Sequence, residues 1–319
     1  MIEITGLGAY LPEQCVSNTD VSKFLDTSDA WIQERTGITQ RYIAAEEQTT
    51  SDLATYAVLE ALKHAGLKAE DIDGIICATS TPDLTLPSTA VLVQHKAGLH
   101  KAFAYDVQAA CAGFIYAISQ AKHFLQGGIY KNIIIVGAEI FSRILDWQDR
   151  KTAILFGDGA GAVILSRTSE ASIKPSLFDV SLYSDGSLSS ILRTTTGPSD
   201  GKTVGVLTMK GPEVYKCAIE KLTECSEAIL VRNNVSVEDL DWFVPHQANM
   251  RILEAVARRL GCPMNKVMHT IDLHANTSAA SIPLALNEAN QNKQIKKGDI
   301  VLLAAMGGGF TWGSSLIRW

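Results

Sequence analysis

Apolar and polar positions along the chain alternate between two periods. Residues 51–64 place Leu53, Ala54, Ala57, Val58, Ala61 and Leu62 on one helical stripe, and Gly66 closes it. Residues 2–10, 74–78 and 102–105 read as strands. Residues 133–137 (IIIVG) are β-branched without alternation, the pattern of a strand covered on both faces. Further helices are expected over 91–97, 114–125, 211–231, 249–260 and 278–290, and further strands over 241–244, 267–271 and 299–305. A last strand follows the glycines of 307–313. A short helix carrying Trp31 and Arg35 on one face starts at the N-cap run Thr27-Ser28-Asp29 and ends at Gly37. Residues 167–205 are looser, rich in Ser, Thr, Gly and Asp, with Asp185-Gly186 expected as a hairpin turn. The glycines of 156–162 (FGDGAGA) fit neither phosphate-loop nor dinucleotide spacing and read as a tight strand-to-strand turn.

Two pairs of segments repeat. Residues 70–77 (EDIDGIIC) parallel 238–245 (EDLDWFVP) at an offset of 168, and 131–137 (KNIIIVG) parallel 298–304 (GDIVLLA) at 167. Such a repeat predicts two copies of one strand–helix unit related by a pseudo-two-fold. The boundary is placed so that 1–168 and 169–319 form the two halves. The second offset carries Cys111 onto Ser278, another expected helix start. Sites at the strand ends of the two halves should then face each other.

Composition narrows the functional classes. With 319 residues, 46% of them hydrophobic, the chain can bury a large core. A formal net charge of −6 argues against a general nucleic-acid or anionic-membrane binder. No apolar run approaches a membrane span, and the N-terminal run lacks a basic, secretory-type start, so a cytoplasmic protein is expected. Six cysteines lie scattered without CxxC pairs, which suits a reducing compartment and offers no zinc site.

The chemistry gathers at element ends. Cys111 falls where a strand gives way to a helix, a setting whose free N–H groups lower a thiol pKa. Its neighbours Ala110, Ala112 and Gly113 are small, so a second group can approach the sulfur. This stretch by itself leaves both an inert buried cysteine and an activated nucleophile open. His246 follows the strand at 241–244, and Asn276 precedes the helix at 278. Alone, His246 reads as a structural histidine and Asn276 as an N-cap. Together with Cys111 they are equipment for covalent acyl chemistry. A papain-like hydrolase also uses Cys, His and Asn, but it has no such duplication and its local Cys signature is absent here.

Six runs, in order, resemble the β-ketoacyl-acyl-carrier-protein synthase III family of the thiolase fold. They are 29–38 (DAWIQERTGI), 106–114 (DVQAACAGF), 156–162 (FGDGAGA), 244–252 (VPHQANMRI), 276–281 (NTSAAS) and 307–313 (GGGFTWG). The resemblance implies an α/β thiolase-like fold of two duplicated halves in five αβαβα layers. It also implies a decarboxylative Claisen condensation of a short acyl-CoA primer with malonyl-acyl carrier protein, initiating fatty-acid synthesis. Cys111 would be the acylated nucleophile, with the N–H groups of Cys111 and Gly308 as oxyanion hole. His246 and Asn276 would hold the malonyl thioester carbonyl, His246 as a neutral N–H donor. No metal or other cofactor is implied.

The same resemblance assigns Thr27, Trp31, Arg35, Arg150, Gly211 and Asn249 to CoA, with Trp31 and Arg150 sandwiching the adenine. The acidic carrier protein needs a basic patch. Residues 246–268 carry Arg251, Arg258, Arg259 and Lys266 against Glu254, a net of +3, and Lys216 adds to it. The family implies a homodimer in which Leu86 reaches the partner's acyl pocket, a position often held by Phe. Ala275 stands where the family often has Gly, and Met306 where an aromatic is common. Leu86 and Met306 are more deformable than Phe, so primers longer or more branched than acetyl are expected to fit.

Other members of the fold are less well matched. An elongating synthase would carry a second His in place of Asn276, and a degradative thiolase would carry a second Cys within 307–313. A 3-hydroxy-3-methylglutaryl-CoA synthase would show a Glu general base, for which no motif is seen. The alternative is a specialised starter enzyme of secondary metabolism using the same triad. A non-enzymatic partner subunit would lack the nucleophile, which is present.

Overall fold

The computed structural model describes residues 1–168 and 178–319. The first half is built on a mixed sheet. Its strands are β1 (Ile2–Tyr10), β2 (Gly74–Ala78), β3 (Phe103–Val107), β4 (Asn132–Glu139) and β5 (Gly159–Arg167), in the order β1-β5-β4-β2-β3. The second half repeats it with β6 (Phe178–Ser184), β7 (Trp242–Pro245), β8 (Ile300–Gly307) and β9 (Thr311–Arg318), in the order β6-β9-β8-β7. The pairs β2–β4, β2–β3 and β7–β8 are parallel, and β1–β5, β4–β5, β8–β9 and β6–β9 are antiparallel.

One offset relates the central elements of the halves. Adding 168 to 74, 110, 113 and 132 gives 242, 278, 281 and 300. These are the first residues of β7, of the turn Ser278–Ala280, of a helix and of β8. The 167 read from the sequence is therefore corrected to 168, because the strands align by their pairing and not by their letters. Cys111 corresponds to Ala279, and Ser278 corresponds to Ala110. Ala110 and Ser278 share an uncommon backbone conformation, with φ of 46° and 51°.

Helices α1 (Thr50–Ala65), α2 (Gly113–Gln126), α3 (Gly211–Arg232), α4 (Met250–Leu260) and α5 (Ser281–Gln291) form three layers around the two sheets. Alternation along β4 shows how. Ile133 and Ile135 face α2 and α5 in a central core shared with Val301 and Leu303 of β8. Ile134 and Val136 face Leu53, Ala57 and Ala61 of α1 on the outside. On the far side, Phe243 and Leu302 pack against α3 and α4. Five layers result, with α2 and α5 back to back in the middle. Gly161 is required there: a Cβ would lie 2.8 Å from the Leu284 backbone N of α5.

Three local expectations are corrected. The run 156–162 is not a tight turn: twenty residues after β4 it enters β5, its glycines admitting α5 while Asp158 accepts from Ala44 N–H and Ser142. Asp185-Gly186 is not a hairpin turn: Asp185 caps a single turn at Gly186–Leu188 through Ser187 N–H, and β6 pairs with β9 instead. The strand at 267–271 shrinks to one bridge, Val267 to Phe243. That bridge sits where Ala104 of β3 meets Ile75 of β2 in the first half, so the second sheet keeps only a stub of its fifth strand. The division at 168/169 adjoins residues 169–177, which lie outside the described residues. No helix among the described residues is long and apolar enough to cross a membrane.

Candidate active site

Cys111 lies in the turn Ala110–Ala112 between β3 and α2 and is buried. The loop after β8 closes over it. Thr311 Oγ1 donates to the Ala109 carbonyl at 2.7 Å, and a Cβ on Gly307 would sit 2.5 Å from the Cys111 backbone N. Only glycine allows that approach. Cys111, Gly308 and Gly309 line one cavity of about 1280 Å³, together with Thr81, Phe156 and Leu192.

The run 276–281 ties the other polar groups to Cys111. Asn276 Oδ1 accepts the Ser278 backbone N–H at 2.9 Å, so its Nδ2 is the end left to donate. The Ser278 hydroxyl donates to Glu139 at 2.9 Å, and its turn, Ser278–Ala280, packs against the turn Ala110–Ala112 that carries Cys111. Ser281 Oγ accepts the Gln247 N–H at 3.3 Å and lies 2.7 Å from His246 Nδ1. Ser281 thus holds the ring at its Nδ1 edge; a donor role for Nε2 requires the Nε2–H tautomer, in which the Ser281 hydroxyl donates to Nδ1. His246 itself is fixed at the end of β7, where its backbone N–H donates to the Ala304 carbonyl at 2.8 Å.

Burial sets the protonation states. It lowers the His246 pKa to about 3, so the ring is neutral at physiological pH. It raises Cys111 to about 12; Glu139 adds to the rise, while Ser278 and the Cys111 N–H oppose it. This corrects the expectation of a lowered thiol pKa: the cysteine sits in a three-residue turn just before α2, and desolvation of the sulfur outweighs the helix start. Burial likewise raises Glu139 to about 7, against hydrogen bonds from Thr81, Ser80, Ser278 and Thr79.

Glu139, Ser281 and the role of Ser278 were missed in the sequence. Glu139 had a signal: it is the single charged residue ending an otherwise apolar buried strand, at the strand edge where α/β sites form. Ala275, where Gly was expected, adopts φ 57° and ψ −162°, a conformation that glycine tolerates best. It places Asn276 so that its backbone bonds Leu155 and Gly157 beside the cavity.

The remaining candidates form two clusters. Arg35 and Arg150 each place a guanidinium 4.8 Å from the Trp31 ring, and Arg150 also donates to the Asp26 carbonyl at 2.7 Å. A planar ligand would have to displace one guanidinium to stack on Trp31. Thr27 precedes the helix Asp29–Thr36 that carries Trp31 and Arg35, and its buried Oγ1 has no partner among the described residues. Asn249 caps α4 and donates to the Arg35 carbonyl at 3.0 Å, linking this cluster to His246. Gly211 starts α3.

On the outer face, Lys216, Arg258 and Arg259 line a groove of about 350 Å³ with Tyr215, and Arg251 lies 6.0 Å from the Tyr215 ring. Lys266 does not join them: its ammonium donates to the Glu238 and Leu240 carbonyls. Leu86 is 80% exposed and lines no part of its own chain's cavity.

Two family models match the chain: 3-oxoacyl-[acyl-carrier-protein (ACP)] synthase III over residues 105–186, and the C-terminal model of the same name over 230–319. The chain is 52% identical over 318 residues to the β-ketoacyl-[acyl-carrier-protein] synthase III of Rhizobium rhizogenes, covering 99% of this chain and 98% of that one. It is 51% identical to the protein of that name from Paramagnetospirillum magneticum, with the same coverage. The solved 3-oxoacyl-[acyl-carrier-protein] synthase III of Aquifex aeolicus superposes with a TM-score of 0.95 at 43% identity, each chain covered completely.

Proposed function

The chain belongs to the β-ketoacyl-[acyl-carrier-protein] synthase III family, and from that membership and the site geometry we propose how its residues carry out the family's reaction. The protein is an acyltransferase that condenses an acyl-CoA primer with malonyl-acyl carrier protein, releasing CoA and CO₂. The observation that carries the residue assignment is the run 276–281: Asn276 bonds Ser278, Ser281 bonds His246, and the turn Ser278–Ala280 packs against the turn holding Cys111.

Cys111 attacks the acyl-CoA carbonyl, and the N–H groups of Cys111 and Gly308 receive the oxyanion. One such donor contributes about 3–4 kcal/mol to the barrier. CoA leaves, and malonyl-acyl carrier protein enters. Loss of CO₂ places negative charge on the thioester oxygen. His246 Nε2–H and Asn276 Nδ2–H stabilise that enolate, which then attacks the acyl-cysteine. Both donors are neutral and held from behind, so no proton needs to move when charge develops. Ser281→Ala removes the group that selects the Nε2–H tautomer. Malonyl decarboxylation should then fall about tenfold with self-acylation little changed, measured as the two separate half-reactions.

Trp31, Arg35, Arg150 and Thr27 take the CoA nucleotide, and Gly211 and Asn249 the pantetheine arm. Lys216, Arg251, Arg258 and Arg259 dock the acidic carrier protein. Reversing Arg258 and Arg259 to Glu should raise KM for malonyl-acyl carrier protein about tenfold at low salt and leave self-acylation from acetyl-CoA unchanged. The difference should shrink as salt is added, because these side chains are solvent-exposed. A salt-independent loss would point to misfolding of α4.

We further propose a homodimer in the cytoplasm, with the halves divided at 168/169 and no cofactor beyond the two thioester substrates. The exposed Leu86 and the unpaired edge of β3, flanked by the packed rings of Phe103, Tyr105, Phe124 and Tyr130, support self-association. Full-length relatives about half identical favour the fatty-acid role over a specialised starter enzyme. The test is an acyl-CoA panel (acetyl, isobutyryl, octanoyl) with malonyl-acyl carrier protein as acceptor. Turnover of branched or longer primers supports the pocket reading at Leu86 and Met306, and turnover confined to acetyl overturns it. No condensation with any primer overturns the assigned chemistry.

A further inference from the structure

Arg41 is a fully buried guanidinium, and among the described residues no carboxylate pairs with it. It stands in the short strand Gln40–Ile43, which pairs with Gln14–Ser17 outside the two main sheets. Burial lowers its pKa only to about 10, so it stays charged at neutral pH. A buried charge is costly unless its donors are taken up, and the fork of arginine can serve acceptors on several segments at once. Nη1 donates to Asn18 Oδ1 at 2.8 Å, with a longer contact to the Val16 carbonyl at 3.5 Å, and Nη2 donates to the Ile154 carbonyl at 2.9 Å. Nε has no partner among the described residues.

Both of the short bonds lead to the Trp31 cluster. Ile154 is the C-cap of the single turn Arg150–Ala153, so its carbonyl fixes the turn that carries Arg150. Asn18 is itself buried, and its Nδ2 donates to Asp29 Oδ1 at 2.9 Å and to the Ile38 carbonyl at 2.7 Å. Asp29 opens the helix Asp29–Thr36, and Ile38 follows its cap, Gly37. One amide thus holds both ends of the element that carries Trp31 and Arg35. Apolar packing also joins the two elements, through Ile32, Ile38, Ala153 and Ile154. That packing is non-directional: it opposes separation but not sliding. The hydrogen bonds of the fork are directional and set the register.

We propose that Arg41 is a positioning residue for acyl-CoA binding: through Asn18 and through Ile154 it holds the Trp31 helix and the Arg150 turn at the spacing a nucleotide needs. The inference rests on the reading of this cluster as the CoA nucleotide site. Arg41 touches none of the reacting groups. Loss of its fork weakens ground state and transition state alike, and only for a thioester that carries a nucleotide.

The experiment compares self-acylation by acetyl-CoA and by S-acetylpantetheine, a thioester without the nucleotide, in wild type, Trp31→Ala, Arg41→Lys, Asp29→Ala and Asp29→Asn. Lysine keeps the charge but replaces the fork by a point donor. Its strand stays anchored, because the Asp158 N–H donates to the Tyr42 carbonyl at 2.9 Å and Asp158 Oδ2 accepts the Ala44 N–H at 2.8 Å. Asp29→Ala breaks the same line at an exposed position and leaves the core intact, whereas Asn keeps the acceptor oxygen. Half-saturating acetyl-CoA should rise about tenfold in Arg41→Lys and about threefold in Asp29→Ala, with the maximal acylation rate kept. Asp29→Asn should match wild type, and every variant should use S-acetylpantetheine as wild type does. Equal slowing with both thioesters is the mark of a structural role and overturns the proposal, as does unchanged half-saturation in a folded Arg41→Lys. If Arg41→Lys does not fold, Asp29→Ala decides alone, and unchanged half-saturation there overturns the proposal. If wild type treats the two thioesters alike, or Trp31→Ala leaves half-saturation by acetyl-CoA unchanged, the nucleotide reading of the cluster falls and this inference with it.

Discussion

Cys111→Ala will take up no acetyl group from acetyl-CoA and will condense it with malonyl-acyl carrier protein at least about 10⁴-fold more slowly than wild type. Removing a nucleophile removes the covalent step and leaves only binding and the oxyanion donors. The variant should fold, because its pseudo-two-fold counterpart in the turn before α5 is already an alanine, Ala279. Intact mass spectrometry after incubation reads the first outcome, and product formation reads the second. Cys15 is exposed and is the residue most open to stray acylation, so peptide mapping separates labelling there from labelling at the site. Undiminished labelling in Cys111→Ala would move the nucleophile elsewhere. Malonyl decarboxylation should survive the substitution, since neither His246 nor Asn276 depends on the sulfur for its orientation.

Periodicity made much of the fold legible. The uninterrupted Ile133-Ile134-Ile135-Val136 run could only be a strand covered on both sides, and β4 is that strand, with one face on α1 and the other on the central helices. The repeated letters gave the two halves, although the offset needed the equivalence of β4 and β8 to become 168. Where an element is held by one contact, pattern failed. Residues 267–271 have strand composition, but only Val267 finds a partner, and Ile271–His274 coils into a short helix. The glycines of 156–162 looked like a turn because sequence does not show that α5 lies against them.

The site was legible to a different depth. Cys111, His246 and Asn276 stand at element ends with recognisable chemistry. Their protonation was not legible, because it depends on burial by distant elements. Burial raises the Cys111 thiol to about 12, with Ser278 opposing the rise and Glu139 adding to it. Glu139 lies twenty-eight positions from Cys111, and only the layer packing brings them together. Ser281 is an unremarkable helix residue until its hydroxyl is seen beside His246 Nδ1.

His246→Ala and Asn276→Ala should each lower malonyl-acyl carrier protein decarboxylation by about 10²–10³-fold while leaving acylation of Cys111 within a few-fold of wild type. Each removes one neutral donor from the oxygen on which the enolate charge develops. The double variant should lose less than the product of the two, because both donors serve one atom. Asn276→Asp should be worse than Asn276→Ala: a carboxylate cannot donate there and its charge opposes the enolate. The pH profile of decarboxylation tests the neutral ring. The folded His246 pKa lies at about 3, below its ordinary value, so the ring gains a proton only in strong acid. Decarboxylation should therefore show no inflection between pH 5 and 8 from His246. An inflection near 6.5 that vanishes in His246→Ala would mean that the ring titrates there, and the neutral-donor role would be wrong.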